Sequence, residues 1–156
     1  MTNETGRPQA TNVVVWKRTD STEITTKKVE TVTDVYPCRL LEKGTNDDDV
    51  VVCGGTNPVV GVAGYEDTAK KWQPANRSTI YAANDQISVV SGPGTGVILQ
   101  IASGEAAVVG TLLKSAAAGQ VAVGTAGNDH IIAKAKETVT GAASTGSPIQ
   151  AVLVGV

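Results

Sequence analysis

From residue 50 to the C-terminus, no run of small or branched apolar residues goes far without a glycine-bearing break. Gly54-Gly55, Gly92-Pro93-Gly94, Ser103-Gly104, Gly119, Gly127-Asn128 and Gly146 divide the chain at short intervals. Glycine inside a helix costs roughly 1 kcal/mol relative to alanine, whereas it suits tight turns. This spacing therefore excludes long helices and asks for short strands. Residue usage agrees: 23 Val and 19 Thr stand against 6 Leu and no Phe, a bias toward pleated, half-buried surfaces. The expected fold is all-β, a small β-barrel or β-sandwich of short strands with an extended N-terminal arm.

Strands are expected at Val50 to Cys53, Pro58 to Tyr65, Gln86 to Val90, Val97 to Ala102, Ala106 to Leu113, Gln120 to Val123, His130 to Thr140 and Pro148 to Val154. Ahead of them, EITTKKVETVTDV from Glu23 alternates as an extended chain does, with Lys27, Val29, Thr31, Thr33 and Val35 on one face. The first dozen residues, MTNETGRPQATN, are polar and read as an arm that orders only against a partner. A compact apolar patch, Val13, Val14, Val15 and Trp16, follows. Charge is concentrated early: 21 of the 28 charged residues precede Ser78. The expected division is an arm with first strands over 1–43 and a barrel or sandwich over 44–156. The 156 residues fit one such module and leave little room for two independent cores.

A weak internal repeat links PVVGVAGYEDT (58–68) to HIIAKAKET (130–138), 72 residues further on. Val59 falls on Ile131, Val60 on Ile132 and Ala63 on Ala135. Each copy follows a Gly/Asn/Asp turn and precedes a second apolar strand after a polar loop. Two similar hairpins joined by a central unit predict a pseudo-symmetric barrel or sandwich.

With two Trp, three Tyr and no Phe, the core must be aliphatic and thin, so packing against copies or partners would thicken it. A formal net charge of −2 argues against a nucleic-acid surface, and the Lys27-Lys28 and Lys70-Lys71 doublets are each flanked by acids. The uncharged stretches 86–104 and 138–156 are broken by Gly, Ser and Pro, so no membrane span is expected. The N-terminus has no apolar segment of the secretory kind. Cys38 and Cys53, with one His in the chain, do not complete a tetrahedral zinc site; whether they pair is left open.

Catalysis finds little to work with. His130 stands after Gly127-Asn128-Asp129, where turn closure or surface exposure is expected. GPGTG at 92–96 lacks the Lys-Ser/Thr of a phosphate loop. Asp47, Asp48 and Asp49 are consecutive, whereas calcium loops alternate their ligands and add a downstream Glu, so a solvated loop is expected. Lys114, in SGEAAVVGTLLKS, invites comparison with carrier lysines but lacks their flanking residues. No enzyme activity, cofactor or metal is expected. Trp16 and Trp72 read equally as interface anchors or as caps on an aromatic-poor core.

In order, PVVGVAGYEDT, NDQISVVSGPG, SGEAAVVGTLLKS, AAAGQVAVGT, HIIAKAKETVTG and IQAVLVGV resemble the head decoration, or cement, proteins of tailed double-stranded DNA viruses. The likeness spans about Asn57 to Val156. It implies a small β-rich protein, often trimeric, made in the host cytoplasm and seated on the outer capsid surface, with an N-terminal arm on the major capsid protein. The chain departs from that pattern in its longer charged lead, Met1 to Lys43. Partner contact is then expected at Val13, Val14, Val15, Trp16 and Trp72, with residues 12–18 adding a strand to a capsid subunit. The alternative is a receptor- or glycan-binding β-domain with a platform at Trp72, Tyr65 or Tyr81.

Overall fold

The computed structural model describes residues 15–30, 34–67, 79–140 and 147–156. Eleven strands are present among them: β1 Val15–Lys17, β2 Glu23–Val29, β3 Leu40–Lys43, β4 Asp49–Val52, β5 Val59–Asp67, β6 Gln86–Ser91, β7 Gly96–Ile101, β8 Leu112–Ser115, β9 Val121–Val123, β10 Ile131–Ala135 and β11 Ser147–Leu153. The fold is all-β and consists of two closed five-strand barrels. One is the ring β2-β4-β3-β5-β6; the other contains β7, β11, β10, β8 and β9 and closes through β7–β9, with β1 added to the outside of β7. Closure pairs the strand edges that an open sheet would leave free.

The barrels are copies of one design. In each, the first strand pairs in parallel with the third and antiparallel with the fifth, and the remaining pairings are antiparallel. Leu41 opposite Gly61 becomes, 72 residues on, Leu113 opposite Ala133. The bulge recurs as well: Val60 is skipped between β3 and β5, and Ile132 between β8 and β10. So do the loop bonds. Cys38 N donates to Ala63 O and Ala63 N to Arg39 O, just as Gly110 N donates to Ala135 O and Ala135 N to Thr111 O. The repeat at 58–68 and 130–138 is thus one strand of a duplication running through all five strands of each barrel.

Two barrels fit in a chain of this length because a five-strand ring closes with strands of three to nine residues. The second barrel's core extends onto the outer face of the first. Val29, Val35, Leu41, Val50, Ala63, Tyr81, Ile87 and Val89 fill the first barrel. Its outward residues Cys38, Leu40, Cys53, Val62 and Val90 belong to a second cluster, continuous with Leu99, Ile101, Leu113, Ile132, Ile149 and Leu153 of the other barrel. β6 is accordingly buried from Ile87 to Val90 on both faces. The thin aliphatic core is thickened within the chain, barrel against barrel.

Three expectations change in detail. β3, which the sequence places in the lead before residue 44, is a stave of the first barrel, and the seam falls at Gly92–Thr95 between β6 and β7. The run Ala106 to Leu113 is not one strand. Thr111 N bonds Val108 O, and Gly110 at φ 94° occupies the position of a β-turn that favours glycine. At 130–140 the regular strand ends at Ala135, and Val139 forms only an isolated bridge with Ala107.

Candidate functional site at the barrel seam

Where the barrels meet, Gly55, Thr56, Asn57 and Pro58 of the first face Lys114, Ser115, Asp129 and His130 of the second across a cleft of about 380 Å³. Strand pairing positions this wall. Lys114 lies in β8 opposite Ala122 and Ile131, and Asp129 and His130 immediately precede β10. Lys114 Nζ donates to Asp129 Oδ1 at 3.1 Å, and Thr125 N donates to Oδ2 at 2.9 Å. The Thr125 amide first, then the Lys114 ammonium, hold the Asp129 carboxyl below the usual carboxylate range.

The first barrel has the same device with its polarity reversed. Glu42, the counterpart of Lys114, accepts from Asn57 Nδ2 at 3.0 Å and from Gly54 N at 3.1 Å. Asn57 is the counterpart of Asp129. A side chain in the second strand of each barrel therefore clamps the loop before the fourth, and the duplication preserves the bridge while changing its chemistry.

The seam itself is held by backbone. Gly119 N donates to Cys53 O at 2.8 Å and Arg39 Nη1 to Ala118 O at 3.0 Å, while Gly92 N donates to Val156 O at 3.0 Å. Gly119 is glycine for a reason: a Cβ there would lie 2.7 Å from Leu40 O. The Thr22 and Thr95 hydroxyls meet at 2.6 Å, Thr95 being fully buried. Cys38 and Cys53 form no disulfide and are buried in the shared cluster, and burial pushes the Cys53 thiol up.

The residues singled out from sequence scatter. Val13, Val14 and Trp72 lie outside the described residues. Val15 and Trp16 fall in β1, whose backbone runs antiparallel to β7 with Val15 opposite Val97. That segment thus already lends one edge to its own chain. The three aspartates do not converge: Asp47 pairs with Lys43 at 2.7 Å, Asp48 with Lys27 at 3.5 Å and Asp49 with Lys28 at 3.0 Å. Lys114 lies within β8, away from the β8–β9 turn at Ala117–Gly119 where a carrier lysine would swing freely. His130 and Lys114 do share the cleft. Tyr81 cannot be a sugar platform, since it is 1% exposed and its hydroxyl donates to Gly64 O.

Sequence reasoning missed the exposed turn tip Val108 and Val109, 60% and 63% exposed. The signal was present: a glycine following two valines marks a turn as readily as a strand.

The geometry defines a class, a tandem of two equivalent all-β barrels. No family profile and no curated protein matches the chain in sequence. Among solved structures, its fold is similar to that of the N base of the head fiber, gp8.5, of bacteriophage phi29. The TM-score is 0.56 at 15% identity, over 85% of this chain and 93% of that one.

Proposed function

We propose that this protein is a structural component of a tailed-bacteriophage virion, a decoration protein that binds the outside of the capsid through the major capsid protein and stabilises the shell by bridging its subunits. In this reading it acts as a homotrimer, is made in the host cytoplasm, and works without catalysis or cofactor. The observation that carries the proposal is the double-barrel fold shared with the phi29 head-fiber base. The sequence resemblance over 57–156 supports it independently. A shell stiffener requires area and fixed geometry, and two closed barrels locked by a common apolar cluster supply both.

Residues 12–18 fit the docking role in an altered form. β1 pairs with β7 through one edge and stands last in its sheet order, leaving the other edge for a strand of a capsid subunit. Many weak contacts of this kind act together on a closed lattice. The test is cosedimentation of the purified full chain with undecorated shells of its phage. Saturation at a fixed ratio to capsid subunits, with raised shell melting temperature, is the expected result. Absence of binding, or binding abolished by free sugar, would overturn the proposal.

A further inference from the structure

The seam inside the chain is heterologous: a face of the first barrel receives a loop of the second. Duplication gives the second barrel the same face and the first barrel the same loop, and among the described residues neither counterpart is covered by the other barrel. The face consists of cross-strand neighbours Leu40, Val62 and Val90, in register on β3, β5 and β6. Their counterparts on the second barrel are Leu112, Lys134 and Val152, in the same register on β8, β10 and β11. The seam loop is Ala117–Gly119 with Gln120, and its counterpart, residues 45–48, reads Thr-Asn-Asp-Asp.

The two unused surfaces differ from the used ones in a matched way. Buried Val62 and Gly64 are replaced by exposed Lys134 and Lys136. The loop whose Gly119 lies against Leu40 and Val52 is replaced by a loop whose Asp47 and Asp48 side chains are each 92% exposed. An uncharged pairing has become a basic face and an acidic loop. Lys134 and Lys136 form no ion pair among the described residues, and the pairs holding Asp47 and Asp48 are exposed ones that exchange partners at little cost. The turn tip before the face follows suit: Tyr36 is half-buried and Pro37 buried, whereas their counterparts Val108 and Val109 project into solvent.

We propose that copies of this chain associate head to tail by repeating the internal seam. The second-barrel face of Lys134, Lys136, Leu112 and Val152, with the Val108-Val109 tip, receives the 45–48 loop of the next copy. A heterologous contact of this kind closes into a ring when its rotation permits, and otherwise continues. The inference rests on the reading of the protein as a homo-oligomer and gives the mode of its association. Its test uses no capsid, so its failure and the failure of shell binding are read separately.

The experiment is light scattering on the size-separated full chain and three variants, with circular dichroism confirming the fold of each. Wild type is expected to be oligomeric at tens of micromolar and to dissociate as salt is raised from 0.1 to 1 M, about a threefold fall in screening length. Lys134→Glu/Lys136→Glu and Asp47→Lys/Asp48→Lys should each weaken association at least tenfold. The four substitutions in one chain should restore it. A monomeric wild type, a face variant that associates as wild type does, or a quadruple variant that fails to recover would each overturn the proposal.

Discussion

Replacing Val62 by lysine puts into the first barrel the residue that the second carries at the equivalent place, and it tests whether the two barrels truly share a core. Val62 is 0% exposed and lies in the cluster that crosses the seam. Losing its burial costs about 1.5–3 kcal/mol. The lysine must then either hold an unpaired amine among Leu40, Val90 and the second barrel or separate the barrels, which adds about 1–3 kcal/mol or more. A combined loss of about 4 kcal/mol, at about 2–4 °C per kcal/mol for a chain of this size, lowers Tm by roughly 10 °C. Val60, two residues away on the same strand and 38% exposed, is the control. Val60→Lys should stay within about 0.5 kcal/mol of wild type. Differential scanning calorimetry reads both, and for Val62→Lys it should also resolve two transitions as the barrels uncouple. Melting temperatures for the two variants within about 2 °C of each other would refute the shared core.

Other positions give independent checks. Gly92→Ala places a methyl on the Ser21 carbonyl at φ 109°, so chemical denaturation should show a loss of about 2–3 kcal/mol; Gly127→Ala, at φ 84° in open space, should lose only about 1–2 kcal/mol. Asp129 is depressed in the folded state, so its contribution is present above the ordinary carboxylate value and is lost as pH falls through the folded one. Lys114→Glu/Asp129→Asn copies the Glu42–Asn57 bridge, and its Tm should fall less steeply with acid than that of wild type; an unchanged acid limb would count against the bridge. Tyr81→Phe removes the bond to Gly64 O and should cost about 1–3 kcal/mol, the penalty of an unsatisfied buried carbonyl. Both thiols should react with a disulfide reagent only at the rate of unfolding, and fast reaction of either in the native protein would contradict their burial.

The class of fold was legible in the residues themselves. β-branched side chains separated by glycines leave a chain little choice but short strands and tight turns, and that preference is local, so Val50 to Cys53, Gln86 to Val90 and Pro148 to Val154 were found within a residue or two. The duplication left only a trace, because a strand needs one apolar residue in two on its inner face, and Val59 against Ile131 satisfies that as well as identity would. What the sequence could not carry was closure, and with it the seam. Leu40 and Leu112 are the same residue at equivalent places, yet one is fully buried and the other half-exposed, since burial of an outward side chain depends on which surface comes to rest against it. The meeting of Lys114, Asp129 and His130 with Thr56 and Asn57 likewise joins residues more than fifty positions apart, a distance bridged by packing two barrels and by no pattern along the chain.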